Sequence, residues 1–328
     1  MLGSLIKGLF RNERALDSCL EDRESEPFYD LPKLTQGITW KATELRERYL
    51  DYPCMVHLET LAVCNAACDF CPYPGLERQG TKMPDSLIEK VIGDLAAIPP
   101  DLPFLFAPYK LSDPFLEPRL FDIIDLATAR LPGVIVTLIT NGSALTESKI
   151  EQLKRVKSIG YLNVSLNADN AEEYERVMQL PFARTLARLD VLHRKKAAGE
   201  LPFPIRLTRV SSSKDADLGF IEWNHDRYPA FKVDILPRND WLGEVVTPGS
   251  LSQVPDAPCH RWFDLSITAT GIVAMCCMDG EARYPKGDIT HENALDVYNL
   301  PRLRELRKSL ISRRAAGSPC SRCTYLSY

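Results

Sequence analysis

A cysteine-rich segment reads Val63-Cys64-Asn65-Ala66-Ala67-Cys68-Asp69-Phe70-Cys71-Pro72. Its three thiols are separated by three residues and then by two, and they follow an apolar segment, Met55–Leu61, that is typical of a strand. We therefore expect the cysteines on a loop at the carboxyl end of that strand. Such a loop can hold three irons of a 4Fe–4S cube, since cysteine thiolates ligate cluster iron. The fourth iron would have no protein ligand and could chelate a small molecule.

Two other interpretations are a structural zinc site and three unrelated buried cysteines. Structural zinc more often takes two C-x-x-C units around one ion, and no second unit lies close in sequence. The spacing and the aromatic residue before the third cysteine resemble the signature loop of the radical S-adenosylmethionine (SAM) superfamily. The resemblance implies three ligands of a SAM-binding 4Fe–4S cluster, Cys64, Cys68 and Cys71. It also implies that the open iron takes the amino and carboxylate groups of SAM and that Phe70 lies beside the adenine.

The composition is that of a globular protein. The chain has 328 residues, 45% of them hydrophobic and 26% charged, and 40 basic against 44 acidic side chains give a net charge of −4. A dedicated nucleic-acid binder usually carries a basic excess, and no apolar run approaches the roughly 18–20 residues of a membrane span. The first ten residues do not form a secretory signal. We therefore expect a cytoplasmic protein, with neither nucleic acid nor membrane as a partner.

Ten cysteines are many for a reducing compartment. Disulfides are rare there, so clustered thiols favour metal binding. Residues 1–53 are predicted to form an N-terminal extension, with a helix from Trp40 to Tyr49 that leads into the first strand.

Strands and helices alternate between residues 54 and 240. The predicted strands are Met55–Leu61, Phe104–Pro108, Val134–Ile139, Tyr161–Leu166, Phe203–Val210 and Phe231–Leu236. The predicted helices are Ser86–Ala97, Arg119–Arg130, Glu147–Val156, Ala171–Val177 with Phe182–Lys196, and Lys214–Asp226, with Asp85 and Thr146 as N-caps. Six strands each followed by a helix imply parallel pairing through right-handed crossovers. The predicted fold is an α/β partial (β/α)6 TIM-like barrel with a small C-terminal domain, which is also the architecture that the resemblance implies.

Polar residues at other strand ends are candidates for SAM binding, because reactive loops gather at the carboxyl ends of such strands. After the second strand, Ser112-Asp113-Pro114 departs from the Gly-Glu-Pro usual in the family, yet it keeps an acid and the proline. By the resemblance, this segment would meet the methionine ammonium. Thr140-Asn141-Gly142 matches a frequent family turn.

Three further candidates lie on the fourth and fifth strands. Ser165 and Asn167 could reach the ribose, and Arg209 could meet the SAM carboxylate. Each strand-end candidate can instead be a turn residue or strand cap, and Arg209 an exposed arginine. The segment Arg238–Trp241 could contact substrate or be a linker turn.

The C-terminal region contains a second group of cysteines. Cys259 precedes a predicted hairpin, Leu265–Ala269 and Ile272–Met275, that leads into Cys276 and Cys277. A predicted helix near Arg302–Ile311 then leads to a closing C-x-x-C, formed by Cys320 and Cys323. The hairpin would bring Cys259 beside Cys276 and Cys277. Four thiolates saturate one 4Fe–4S cluster or one zinc ion.

This arrangement resembles the SPASM extension behind radical SAM barrels, or its shortened twitch form. The matching features are the aromatic after the first cysteine, the Gly-x-Val before the pair, Gly287-Asp288-Ile289 and the closing C-x-x-C. The resemblance implies one auxiliary 4Fe–4S cluster in a domain of residues 241–328, and only one of the two neighbouring cysteines is needed. The spacing favours Cys277, by resemblance to single-cluster twitch enzymes, whereas the register from Gly271 favours Cys276. The spare thiol is either a small buried apolar group or a catalytic donor of a hydrogen atom.

The resemblance also implies a reaction. An electron from a donor such as flavodoxin or ferredoxin would cleave SAM to a 5′-deoxyadenosyl radical, which abstracts hydrogen from the substrate. Family members of this size with one auxiliary cluster include dehydrogenases and epimerases of aminoglycosides and other sugars. This favours a small carbohydrate-like substrate.

Two alternatives remain open. One is modification of a ribosomally made peptide, although residues 1–53 are too short for the usual peptide-recognition domain. The alternative from another class is an iron–sulfur or zinc module without SAM chemistry.

Overall fold

The computed structural model describes residues 31–245 and 253–326. The predicted N-terminal extension therefore falls largely outside the described residues. The strands are β1 (Met55–Leu58), β2 (Phe104–Ala107), β3 (Val134–Thr140), β4 (Ile159–Ser165), β5 (Ile205–Val210), β6 (Lys232–Leu236), β7 (Asp264–Ile267), β8 (Ile272–Ala274) and β9 (Gly287–Asp288). The helices are α1 (Leu31–Tyr49), α2 (Asp85–Leu95), α3 (Leu120–Arg130), α4 (Glu147–Leu153), α5 (Ala171–Met178), α6 (Phe182–Ala197), α7 (Lys214–Arg227), α8 (Ala294–Tyr298) and α9 (Pro301–Ser309).

The predicted partial barrel is confirmed. Strands β1 to β6 pair in parallel, each with its neighbour in the chain, and the crossovers between them contain the predicted helices. Helix α1 is longer than predicted, since it begins at Leu31 rather than at Trp40. No helix among the described residues combines the length and the apolar character needed to cross a membrane.

The C-terminal hairpin continues the barrel sheet. Strand β7 pairs in parallel with β1, with Asp264 opposite Met55, and then pairs antiparallel with β8. The hairpin turn contains Gly271 at φ +88°, a left-handed conformation that favours glycine. The strand order is β6-β5-β4-β3-β2-β1-β7-β8-β9. The division at residue 240 stays a prediction, and the sheet is continuous across it.

One of the two predicted helix caps is present. Thr146 caps α4, because its hydroxyl accepts a hydrogen bond from the Lys149 amide at 3.4 Å. Asp85 does not cap α2, which corrects the sequence prediction. This residue is the first of the helix, and its carboxylate forms an ion pair with Arg119 instead.

The strands have an outer face toward the helices and an inner face toward the barrel. Val164 and Leu207 pack in an apolar cluster that includes Phe220 of α7, so they point outward. Because successive side chains of a strand point to opposite faces, Ser165 and Thr208 point inward. The inner face is the one that a substrate in the barrel would meet.

Candidate iron–sulfur and SAM-binding site

The first three cysteines lie together on the loop that follows β1. Cys64, Cys68 and Cys71 are all partly exposed and none forms a disulfide. Burial raises the pKa of Cys64 to about 11 and that of Cys71 to about 12. Burial also raises the pKa of Cys68, and the two neighbouring thiols raise it further. The three sulfurs are therefore within electrostatic range of one another, as ligands of one cluster must be.

The cysteine loop is held by the end of α5. The Ala67 amide donates to the Met178 carbonyl at 3.2 Å, and the Asp69 amide donates to the Val177 carbonyl at 3.1 Å. These bonds fix the loop on both sides of Cys68, whose sulfur lies 3.5 Å from the Met178 sulfur. The position of the loop is thus set by its contacts with α5.

The turn after β3 holds the other side of the loop. The Asn141 amide group donates to Asn65 at 2.9 Å, and Asn65 donates to Ser143 at 2.8 Å. Asn141 also points its amide at the Cys64 sulfur at 3.8 Å. Backbone amides act on the same sulfur and lower the pKa of Cys64 against the effect of burial. Hydrogen-bond donors directed at the cysteine sulfurs suit an iron–sulfur cluster, because such bonds help to set its reduction potential.

Asn65, Ser143 and Met178 were not singled out in the sequence. Asn65 lies inside the cysteine motif, and Ser143 directly follows the Thr140-Asn141-Gly142 turn. Their closeness to these motifs in the sequence could have identified both as candidate site residues. Met178 closes α5, far from either motif, and only the folded chain brings it to the cysteines.

Asp113 joins the ends of β2 and β3. One carboxylate oxygen accepts from the Phe115 amide at 3.0 Å, and the other accepts from the Thr140 hydroxyl at 2.8 Å and the Asn141 amide at 2.9 Å. Both oxygens therefore already have partners within the protein. Asp113 positions these loops, while the adjacent Ser112 is partly exposed at the same strand end.

Arg209 does not face the barrel interior. Its guanidinium is 1% exposed and pairs with Asp217 and Glu173, each at 2.9 Å. It also lies 5.7 Å from the Phe220 ring, on the helix side of β5. This corrects the predicted contact between Arg209 and the SAM carboxylate.

Ser165 and Asn167 lie where the sequence placed them, at the end of β4. Ser165 faces inward and is partly exposed. Asn167 has a left-handed backbone at φ 63°, and its side-chain oxygen accepts from the Val210 amide at 2.8 Å. Asn167 therefore fixes the strand end, and Ser165 presents a hydroxyl to the barrel.

The segment after β6 folds back onto the cysteine loop. The Trp241 indole donates to the Phe70 carbonyl at 2.8 Å, and the Arg238 guanidinium lies 5.8 Å from the Phe70 ring. Arg238 also approaches Asp69 at 3.7 Å. Phe70 is partly buried beneath this segment.

The C-terminal cysteines form a second centre. Four of them line one cavity: Cys259, Cys276, Cys320 and Cys323. Four thiolates are a complete donor set for one 4Fe–4S cluster.

Cys277 has different surroundings. Its sulfur, a nitrogen of His57 and an oxygen of Asp264 all lie within 4.8 Å of one another. His57 is on the inner face of β1, since its neighbours Val56 and Leu58 pack on the outer face. The chain bends at Cys276 and turns at Cys277 rather than remaining extended. The two neighbouring thiols therefore point apart, one into the cysteine cavity and one toward the barrel.

Two family profiles match the chain. The Radical SAM superfamily profile matches residues 58–199, and the SPASM profile, an iron–sulfur cluster-binding domain, matches residues 259–324. Together the matches span more than half of the chain. Each contains one of the two cysteine groups.

A curated relative is the AdoMet-dependent heme synthase of Methanosarcina barkeri, 35% identical over 98 residues. The match covers 29% of this chain and only 26% of that relative.

Solved structures share the fold at low identity. BtrN, solved with AdoMet and 2-DOIA, has a TM-score of 0.57 at 17% identity and covers 84% of this chain and 94% of its own. Streptococcus suis SuiB, solved with the precursor peptide SuiA, has a TM-score of 0.62 at 13% identity and covers 98% of this chain and 83% of its own. These structures show the same fold, and the two family profiles lead to one conclusion: the chain belongs to the radical SAM superfamily and carries a C-terminal SPASM domain, with a SAM-binding 4Fe–4S cluster, an auxiliary cluster and SAM as its cofactors.

Proposed function

We propose that the enzyme abstracts a hydrogen atom from a small carbohydrate-like substrate bound inside the barrel, and that it acts as a dehydrogenase or an epimerase. The observation that carries this proposal is the polar inner face of β4, β5 and β6. The inward side chains on these strands include six polar ones, Tyr161, Asn163, Ser165, Arg206, Thr208 and Asp234. A hydroxyl-rich substrate needs such donors and acceptors to replace its hydration.

Several of these groups retain capacity for a ligand. Arg206 pairs with Asp234 at 2.9 Å, and both side chains are partly exposed. The side-chain oxygen of Asn163 is buried and has no hydrogen-bond partner among the described residues. An unpaired buried acceptor is costly, and a substrate hydroxyl would satisfy it.

We assign the cofactor residues as follows. Cys64, Cys68 and Cys71 hold the SAM-binding cluster, which when reduced supplies the electron that cleaves SAM to the radical. Phe70, Ser112 and Ser165 line the SAM pocket, and the positioning residues around it are Asp113, Thr140, Asn141 and Asn167. The auxiliary ligands are Cys259, Cys276, Cys320 and Cys323. A flavodoxin or ferredoxin supplies the electron, and a reducing cytoplasm would preserve these centres.

Cys277 distinguishes the two outcomes. Its thiol faces the barrel beside His57 and Asp264. In an epimerase, the substrate carbon radical takes the hydrogen atom of this thiol, which forms a C–H bond and leaves a sulfur radical. One electron from the donor protein and one proton then restore the thiol. In a dehydrogenase, the substrate radical would instead lose a proton to solvent and an electron to the auxiliary cluster, and Cys277 would only fill space.

The test is product analysis in D2O with aminoglycosides and related sugars. We expect 5′-deoxyadenosine formation that depends on one of these substrates, with an epimerised product that carries deuterium at the inverted carbon. Cys277→Ser keeps the side-chain volume but holds its hydrogen too strongly to donate it, so it should still cleave SAM and lose the epimer. If the unsubstituted enzyme forms an oxidised product and Cys277→Ser forms the same product, the enzyme is a dehydrogenase. If no carbohydrate supports SAM cleavage beyond the substrate-free rate, the substrate class is wrong.

Peptide modification is a second candidate. It is favoured by the likeness to SuiB, which covers nearly the whole of this chain and was solved with a precursor peptide. A mass change in candidate peptides incubated with the reduced enzyme and SAM, without turnover of carbohydrates, would favour it.

A further inference from the structure

The auxiliary cavity has a buried cation in its wall. Arg313 lines the cavity with the four cysteines and is 1% exposed. Its backbone amide donates to the Ala257 carbonyl at 2.8 Å, and one terminal nitrogen donates to the Tyr325 carbonyl at 2.5 Å. The Ala257 carbonyl thus holds the backbone of Arg313, and the Tyr325 carbonyl holds its guanidinium.

Arg313 lacks a complete set of partners within the described residues. Its Nε has no hydrogen-bond partner there, and no carboxylate there forms an ion pair with it. Arg261 lines the same cavity but pairs with Asp264 at 2.9 Å. A buried charge without compensation is strongly unfavourable, so the partner of Arg313 is to be sought in the cavity itself.

The cysteines are the groups that share the cavity with Arg313. Cys259, Cys276, Cys320 and Cys323 line the same space as this buried side chain. A cluster held by these thiolates would therefore lie beside the positive charge.

A second donor points at the same centre. The Trp262 indole N–H donates to the Cys320 sulfur at 3.4 Å, and the side chain is buried. Net charge and hydrogen bonds to the sulfurs are among the factors that set the reduction potential of an iron–sulfur cluster.

We propose that Arg313, assisted by Trp262, sets the reduction potential of the auxiliary cluster. The reduced cluster carries one more negative charge than the oxidised cluster. A fixed positive charge in the buried wall of the cavity stabilises the reduced cluster more than the oxidised cluster. This raises the reduction potential and makes the cluster a better acceptor of one electron. Arg313 is thus a positioning residue for electron transfer, and the inference rests on the auxiliary ligation proposed above.

The test is a redox titration followed by electron paramagnetic resonance. The full-length chain with Cys64, Cys68 and Cys71 changed to Ala serves as the parent, so that only the auxiliary cluster contributes. We expect Arg313→Gln to shift the midpoint potential to more negative values. Arg313→Lys should restore most of the parent's midpoint potential. Trp262→Phe should give a smaller shift than Arg313→Gln, in the same direction. Arg314→Gln is the matched control: Arg314 is exposed, donates to the Val254 carbonyl at 2.8 Å, and should leave the potential unchanged.

An unchanged potential in Arg313→Gln, with full iron and sulfide content, would overturn the inference. If that variant loses the cluster, Trp262→Phe decides, and a midpoint potential equal to the parent's in that variant would overturn the inference. A parent without iron would instead contradict the auxiliary ligand set.

Discussion

At the scale of single residues, Cys276 and Cys277 share a peptide bond but face different chemistry. Cys276 lines the cavity with three other thiols, whereas Cys277 lies beside His57 and Asp264. We predict that Cys276→Ala loses auxiliary iron and that Cys277→Ala keeps it, because four thiolates complete the coordination. Iron and sulfide analysis of anaerobically reconstituted variants measures this. The reverse pattern would make Cys277 the ligand.

The first three cysteines give a second prediction. Replacing Cys64, Cys68 or Cys71 with Ala should abolish SAM cleavage and leave the protein folded, because each thiolate holds one iron of the SAM-binding cluster. The triple variant should still bind one auxiliary cluster, with about four irons per chain. Assays of 5′-deoxyadenosine and circular dichroism test the two parts. Substantial 5′-deoxyadenosine from any single variant would count against the assignment.

Much of the candidate site could be predicted at this scale. Closely spaced cysteines are read directly from the sequence, because local spacing is what a short ligand loop requires. Arg209 shows the limit: its direction depends on the contacts of β5 with α7, and the partners Asp217 and Glu173 come from two different helices. Asp113 is similar, since its carboxylate is occupied by the turn after another strand.

At the scale of elements, α1 supports the auxiliary region. Ala42, Leu45 and Tyr49 pack in one apolar cluster with Trp262 and Cys320. Leu45 is 5% exposed, whereas Trp40 on the same helix is 49% exposed. The helix thus covers the wall behind the C-terminal cysteines.

This packing predicts a stability difference. Leu45→Ala should lower the free energy of unfolding by about 2–5 kcal/mol, because it removes buried methyl groups and leaves a cavity. Trp40→Ala, its control on the same helix, should change the free energy by no more than about 0.5 kcal/mol. Denaturant unfolding of the cluster-free proteins measures both. Equal effects would show that α1 does not pack as described.

Elements were predictable where the signal is local. Apolar runs such as Val134–Ile139 and amphipathic helices such as Phe182–Lys196 carry their own periodicity, and their observed bounds differ by one residue. The pairing of β7 with β1 carries no such signal. It joins Asp264 to Met55 across more than two hundred residues, and a predicted hairpin does not specify which edge it will extend.

At the scale of the whole molecule, one sheet carries both centres. The cysteines proposed to hold the SAM-binding cluster follow β1, Cys259 precedes β7, and Cys276 follows β8. Neighbouring strands lie about 4.8 Å apart, so the sheet fixes the relative position of the two centres.

Removal of the C-terminal region should therefore affect the barrel itself. A chain that ends at residue 240 lacks β7 and leaves β1 as an open edge with unpaired backbone groups, which promotes aggregation. We expect this fragment to be aggregated or insoluble under conditions in which the full chain is monodisperse. Size-exclusion chromatography with light scattering makes the comparison. A soluble monomeric fragment that binds its cluster would show that the barrel does not need β7.

The parallel pairing of β1 with β7 also has a consequence for biosynthesis. At about 5–20 residues per second, β1 leaves the ribosome roughly 10–40 s before its neighbour β7 is made. During that interval the nascent chain exposes an unfinished sheet edge and free thiols. A cluster held by the C-terminal cysteines can therefore be completed only after Cys320 and Cys323, the last of its proposed ligands, have been synthesised.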